Sequence, residues 1–247
     1  MNPASLALLA STGSLDTLTL AFRESDPIGK TIVVILLVMS ILAWSIMVSK
    51  WIELKTLRRF SRLFHDRYSR QNHPFELLIA NRPLPPCPLA AIYRAAAREA
   101  AFLSQPGSDM TSEPLDSLRL PSSQLDIIRR AVERTASDQA LAIESKMPLL
   151  AISVNAAPFL GLLGTVWGVL VAFTHMTTST GGALLGAVAP GIAGALLTTV
   201  VGLLVALPSA IGYNLLVAEI KIMAVQMDNF ADELMADLQS ACTDRAL

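Results

Sequence analysis

The chain has 247 residues, of which 53% are hydrophobic and 16% are charged, and its formal net charge is −1. This composition is too apolar for an ordinary soluble domain, and the near-neutral charge gives no reason to expect nucleic acid as a partner. Two cysteines, Cys87 and Cys242, and three scattered histidines match no metal-ligand spacing. We therefore expect a membrane protein with no metal and no cofactor.

The first 30 residues are predicted to form an N-terminal segment outside the bilayer. Leu15, Leu18 and Phe22 fall at i, i+3 and i+7 among charged residues, which favours a short amphipathic helix on the membrane surface. A loose tail is equally consistent with this pattern. The segment lacks the basic start of a secretory signal, so we do not expect a cleaved leader.

The first membrane helix is predicted over residues 31–49. These 19 residues are uncharged, lie between Lys30 and Lys50 and are rich in Ile, Leu and Val. A helix needs about 20 apolar residues to cross a bilayer. We expect most of this helix to face lipid.

Residues 50–146 are predicted to be a cytoplasmic, mainly helical region. They contain 15 Lys and Arg residues against 11 Asp and Glu residues. Near its end, apolar residues from Leu125 onwards recur at intervals of three and four, which is typical of a helix packed beside another helix. No proline interrupts this pattern before Pro148, so a continuous helix over 123–173 is one hypothesis that the sequence allows.

A stretch of 72 residues without Asp, Glu, Lys or Arg follows, between Lys146 and Glu219. It is long enough for two crossings, which we predict over 147–174 and 183–217, with a polar turn over 175–182. Residues 218–247 carry an apolar stripe and are predicted to form a cytoplasmic C-terminal helix. Because basic residues cluster in 50–146 and the turn has none, the positive-inside rule places the N-terminus and the turn in the periplasm.

Small residues recur at helical spacing along both limbs of this predicted hairpin. In lipid, small residues allow helix backbones to approach closely, so they are first of all expected to be packing positions. The packing positions predicted in this way are Gly161, Gly164, Gly168, Gly191, Gly194 and Gly202. Three prolines within the spans are expected to shape the helices: Pro158, Pro190 and Pro208.

Three threonines are the candidate functional residues. Thr165 lies in the middle of the outgoing limb, and Thr198 and Thr199 lie near the middle of the returning limb. Each could simply bond a carbonyl of its own helix. Together they would line a polar path without a fixed charge. A proton path usually needs an intramembrane ionisable group, so we expect a partner helix bearing an Asp or Glu to supply it.

Two runs of residues resemble a known family: Ala157–Gly168 (APFLGLLGTVWG) and Ala189–Leu203 (APGIAGALLTTVVGL), the second followed by ALPSAIGYN. They are similar to the MotA/TolQ/ExbB proton channel family, more to its TolQ/ExbB branch, and GTVWG is closer to TolQ. The resemblance implies a homopentamer around a dimer of a single-span TolR- or ExbD-like partner, whose aspartate faces Thr165 and Thr199. It also implies a TolA- or TonB-like protein that carries work to the outer membrane. Many relatives have Glu where this chain has Gly194.

The leading hypothesis is therefore an inner-membrane motor subunit powered by the proton-motive force, of the Tol type. An ExbB-type energiser of uptake through the outer membrane is the alternative within the family. A flagellar stator subunit, a third possibility within the family, would normally have four membrane spans, whereas three are predicted here. A passive membrane scaffold is the alternative from another class. An enzyme is not expected, since no nucleophile–base pair appears in the spans.

Overall fold

The computed structural model describes residues 22, 26–71, 73–79, 83–104, 122–178 and 184–243. Over these residues the chain forms six helices: α1 Pro27–Tyr68, α2 Glu76–Ile79, α3 Pro88–Ser104, α4 Ser122–Glu144, α5 Met147–Thr178 and α6 Leu184–Thr243. The amphipathic helix expected around Leu15 lies outside the described residues, except for Phe22. Residues 179–182 of the predicted turn and residues 244–247 of the tail also lie outside the described residues.

Three of the helices are long and apolar enough to cross a membrane: α1, the Met147–His175 part of α5 and the Gly191–Ala241 part of α6. Their large apolar side chains are widely exposed, for example Ile41 (70%) on α1, Phe159 (71%) on α5 and Leu204 (67%) on α6. Water would not favour so much exposed apolar surface, whereas a bilayer would cover it. The prediction of an all-α protein with three membrane-spanning helices is confirmed for the described residues.

The chain divides into two compact units. One comprises Met1–Val48 and Lys146–Leu215, and we call it the membrane unit. Its core is small and is formed by α1, α5 and α6, through the buried residues Ile32, Leu36, Ala157, Val205 and Ala206. Because lipid replaces water around this unit, close packing of small residues holds its helices together more than hydrophobic burial does.

The other unit comprises Ser49–Ser145 and Leu216–Leu247, and we call it the polar unit. Its core contains an aromatic cluster in which Phe64 packs edge-on against Tyr93 and Phe230, with ring centroids 5.6 Å and 5.7 Å apart. Tyr68 lies beside them and donates a hydrogen bond of 2.6 Å to Asp237. Burial, followed by this bond to a carboxylate, raises the pKa of the Tyr68 hydroxyl, so the hydroxyl stays protonated.

The polar unit also carries ion pairs between distant parts of the sequence. Arg58 binds both carboxylate oxygens of Glu219 through one guanidinium nitrogen, at 3.0 Å and 3.2 Å. Both side chains are about one third exposed, so this pair adds roughly 0.2–1 kcal/mol at most. It fixes the contact between α1 and α6 in this unit more than it stabilises the unit.

The hypothesis of one continuous helix over 123–173 is wrong. Helix α4 ends at Glu144 and helix α5 begins at Met147. Between them Lys146 has a φ of 70°, a left-handed conformation that breaks the regular helix. Pro148, in the first turn of α5, is the local sequence signal for a new helix here, because proline is favoured in the first turn and disfavours helix before it.

Candidate functional site

Helices α5 and α6 approach each other closely in the membrane unit because small residues face one another. A Cβ atom built on Gly202 would lie 2.7 Å from the carbonyl oxygen of Ala157 and 3.1 Å from the Cα atom of Gly161. A Cβ atom built on Gly161 would lie 3.0 Å from the carbonyl oxygen of Thr198. The neighbours are backbone atoms, which cannot rotate away, so these two glycines allow the close approach.

The other predicted packing glycines differ in how tightly they are enclosed. A Cβ atom on Gly164 would overlap the side chain of Thr198, and one on Gly168 would lie 2.6 Å from the Cβ atom of Ala195. At Gly191 the nearest atom, the Cβ of Ala172, would be 3.5 Å away, an ordinary contact. Gly194 is buried in α6. The packing is therefore tight at Gly161, Gly164, Gly168 and Gly202 and ordinary at Gly191.

The three candidate threonines meet at this close approach. Thr199 Oγ1 lies 3.0 Å from the carbonyl oxygen of Gly161 and 3.4 Å from Thr165 Oγ1. Thr198 is fully buried, and its Oγ1 lies 3.0 Å from the same carbonyl oxygen and 2.7 Å from that of Ala195. Thr165 donates to the carbonyl oxygen of Leu162 at 2.7 Å. We call Thr165, Thr198, Thr199 and the Gly161 carbonyl the hydroxyl cluster.

The hydroxyl cluster has more acceptors than protons. Each threonine hydroxyl carries one proton and two lone pairs. Carbonyl oxygens within reach can take all three protons, which leaves lone pairs on the Oγ1 atoms unused. The proton of Thr199 has two acceptors, Gly161 O and Thr165 Oγ1, and can turn from one to the other. Such a cluster can accept a hydrogen bond from a donor group, such as water or a neutral carboxylic acid.

Two further buried hydroxyls in these helices behave differently. Ser153 on α5 donates to Leu149 O at 3.2 Å, and Ser209 on α6 donates to Val205 O at 2.7 Å. Each bonds the carbonyl four residues earlier in its own helix, which is the ordinary way to satisfy a hydroxyl in a helix. They provide an internal comparison for the threonines, two of which reach across to the other helix.

The three prolines lie within the bounds of the helices, Pro158 in α5 and Pro190 and Pro208 in α6. Pro158 and Pro208 are half-buried, and the side chain of Pro190 lies outside the described part of the chain. A proline lacks the N–H that would bond the carbonyl of the preceding turn. Their effect on the helix axes stays a prediction.

Sequence reasoning found the three threonines but missed their common acceptor. Gly161 was expected only to pack, yet its carbonyl oxygen lies 3.0 Å from both Thr198 Oγ1 and Thr199 Oγ1. Every residue has a backbone carbonyl, so the residue type does not show which carbonyl accepts a hydrogen bond from a side chain. The one available signal was that Gly161 lacks a side chain, which leaves its carbonyl accessible to a neighbouring helix.

Comparison with known proteins agrees with this architecture. The profile of the MotA/TolQ/ExbB proton channel family matches residues 102–229, which include α4, α5 and most of α6. The chain belongs to the MotA/TolQ/ExbB proton channel family. The match contains the whole hydroxyl cluster and both runs of small residues.

Relatives within this family extend over nearly the whole chain. The Tol-Pal system protein TolQ of Haemophilus influenzae is 29% identical over 240 residues, which cover 95% of this chain and 99% of that protein. The TolQ of Pseudomonas aeruginosa is 34% identical over 64% of each chain. The biopolymer transport protein ExbB of Neisseria meningitidis serogroup A is 31% identical over 88% of this chain and 94% of that protein.

Family membership and the three apolar helices together indicate a multi-pass protein of the bacterial inner membrane. Within the MotA/TolQ/ExbB family, both TolQ and ExbB proteins are similar to this chain at comparable identity. Overall identity therefore does not separate the two branches.

Proposed function

We propose that this protein is the multi-span subunit of a proton-driven motor, in which the hydroxyl cluster lines the proton path. The observation that carries the proposal is the geometry of that cluster: Thr199 Oγ1 lies between the Gly161 carbonyl and Thr165 Oγ1, with unused lone pairs around it. Membership of a proton channel family supports the same conclusion.

The path needs an acid that this chain does not supply in its spans. Residues 147–218 contain no Asp, Glu, Lys or Arg. A neutral carboxylic acid on a partner helix could donate to the unused lone pairs of Thr165 and Thr199. When it ionises, the Thr199 hydroxyl could turn and donate to the carboxylate, which lowers the cost of the charge in a low-dielectric site. The cluster would thereby help the acid to load and release a proton.

The proposed assembly is a homopentamer around a dimer of a single-span partner of the TolR or ExbD type, which carries the intramembrane aspartate. The N-terminus and the turn between α5 and α6 would lie in the periplasm, and the polar unit in the cytoplasm. The basic residues of 50–146 support this orientation. Proton flow would move the subunits relative to the partner, and a TolA- or TonB-like protein would carry the work to the outer membrane.

We favour a Tol-type role in maintaining the cell envelope, because the TolQ of H. influenzae matches 95% of this chain. The second candidate, an ExbB-type energiser of uptake, is favoured by the similarity to ExbB of N. meningitidis. Deletion of the gene separates the two: a Tol-type protein is needed for envelope integrity in detergent, an ExbB-type protein for growth on scarce nutrients. In neither role does the chain act as an enzyme.

The proposal is tested by Thr199→Val, which replaces the hydroxyl by a methyl group of similar size. Gly161 O keeps Thr198 as a donor, so the lost bond should reduce stability by only about 0.6 kcal/mol, the average for such bonds in membranes. We expect the assembly to form normally and proton flux through the complex in proteoliposomes to fall sharply. A passive scaffold would tolerate this change.

Ser209→Ala is the matched control, because it removes a buried hydroxyl of the same helix that bonds only its own helix among the contacts described. Both variants are measured for assembly by co-purification of the partner and for flux in the same vesicles. Equal flux in Thr199→Val, Ser209→Ala and the unmodified complex would refute the proposed path.

A further inference from the structure

Lys50 is a charged side chain that is almost completely buried in the polar unit, with 1% of its surface exposed. In the sequence it only marks the end of the first apolar span. Burial of an ammonium group is unfavourable unless each of its protons finds an acceptor. The groups around Lys50 therefore decide whether its charge is tolerated there.

All three protons of the Lys50 ammonium have acceptors. Nζ lies 2.9 Å from the carbonyl oxygen of Ile143, 3.3 Å from Ser145 Oγ and 3.0 Å from Glu53 Oε2. Glu53 is on the next turn of α1 and balances the charge. The other two acceptors lie in the last turn of α4 and just after it, more than 90 residues away in the chain.

These contacts fall at the C-terminal end of α4, where a helix presents carbonyl groups without intrahelical partners. The last four carbonyls of a helix lack such partners, and the helix dipole makes this end negative. A buried ammonium group can donate hydrogen bonds to these carbonyls, and its positive charge offsets the negative end of the helix dipole. Here it binds Ile143 O directly and reaches Ser145, the first residue after α4.

The same place is where the chain leaves the helix. Ser145 N–H donates a 3.3 Å backbone hydrogen bond to Ala142 O, Lys146 has a φ of 70°, and α5 begins at Met147. Backbone in this left-handed region is unfavourable for lysine and persists only where its surroundings hold it. The ammonium group of Lys50 contacts Ser145, the first residue of this break.

We propose that Lys50 is a positioning residue: its ammonium fixes the end of α4 and the Ser145–Lys146 break against α1. Because α5, which carries Thr165, follows directly after this break in the chain, we expect loss of the anchor to reduce proton flux. The contacts that support this anchoring all lie within the polar unit. Its consequence for proton flux rests on the proposed function.

The test uses Lys50→Met, which keeps an unbranched side chain, one atom shorter, and removes the charge and all three donors. Backbone hydrogen exchange is followed in the full-length chain, reconstituted in lipid nanodiscs with its co-expressed single-span partner. We expect exchange at Ser145 to rise at least about tenfold, the factor expected when a hydrogen bond to a charged group is lost. Exchange around Phe230, in the aromatic core of the same unit, should stay unchanged.

Lys50→Arg retains the charge and several donors, and it should restore slow exchange at Ser145. Glu53→Gln is the control for charge balance; since Glu53 is 41% exposed, we expect a smaller rise. Where Lys50→Met does not accumulate in membranes, Lys50→Gln, which is also neutral but polar, is measured in its place. Unchanged exchange at Ser145, or an equal rise around Phe230, would overturn the anchoring.

Proton flux is measured in the same complexes. We expect flux to fall in Lys50→Met and to recover in Lys50→Arg. Normal flux together with fast exchange at Ser145 would overturn the positioning role. If flux instead proves independent of Thr199, the proposed function is wrong, and the exchange data still decide whether Lys50 anchors the break.

Discussion

Gly202 offers the sharpest test of the close approach between α5 and α6. In Gly202→Ala the added methyl carbon would lie 2.7 Å from the carbonyl oxygen of Ala157 and 3.1 Å from the Cα atom of Gly161. To reach 3.4 Å, where ordinary contacts begin, the two backbones must separate by roughly 0.7 Å at this point. Overpacking of this kind costs about 1–3 kcal/mol.

Gly191→Ala is the matched control in the same helix, because among the described residues its methyl carbon would meet only the Cβ atom of Ala172, at 3.5 Å. Alanine is favoured over glycine in a helix by about 1 kcal/mol, and this gain is common to both variants. The difference between them therefore isolates the clash. We expect Gly202→Ala to be less stable than Gly191→Ala by about 1–3 kcal/mol.

The free energy of unfolding is measured by steric trapping of the full-length chain in nanodiscs, and proton flux in proteoliposomes with the partner. Separation of the helices would also lengthen the 3.0 Å contact from Thr199 to Gly161 O, so Gly202→Ala should reduce flux as well. Equal stability of the two glycine variants would show that the two helices do not approach this closely.

Two further predictions concern the polar unit. The pKa of Tyr68 is raised above its ordinary value of 10.0 by burial and by its bond to Asp237, so the unfolded chain loses this proton first as the pH rises. The contribution of the protonated Tyr68 hydroxyl to the free energy of unfolding is therefore complete below about pH 10 and declines above it. In denaturant titrations, the free energy of unfolding of Tyr68→Phe should fall less steeply with pH above 10 than that of the unmodified chain. Equal slopes in the two proteins would refute this prediction. Cys87 is 4% exposed and burial raises the pKa of its thiol. In a Cys242→Ser background, maleimide should label Cys87 at least about a thousandfold more slowly in the folded than in the unfolded chain, as for a group exposed only by unfolding, and comparable rates would contradict its burial.

The sequence by itself determined the membrane-spanning character of the protein. The 72 uncharged residues between Lys146 and Glu219 exceed what one crossing needs, and the absence of charge over such a length is what a bilayer demands, because transfer of a charge into lipid is strongly unfavourable. The small residues and threonines also mark which faces of the helices meet, since their spacing repeats once per turn. Helix content, the three spans and the candidate threonines follow from these local patterns.

Tertiary structure alone decided the register of the helices and the contacts made at the end of α4. Helical periodicity defines a face but leaves free the sliding and rotation of one helix against another. Only the packing of Gly161 against Gly202 brings Thr199 to the Gly161 carbonyl. At the break, Pro148 signals the start of a new helix, but no local pattern shows that the ammonium group of Lys50, more than 90 positions earlier in the chain, binds at the end of α4. Contacts between distant residues set both features, because close packing and hydrogen bonding act over distances in space, whereas sequence patterns report only neighbours along the chain.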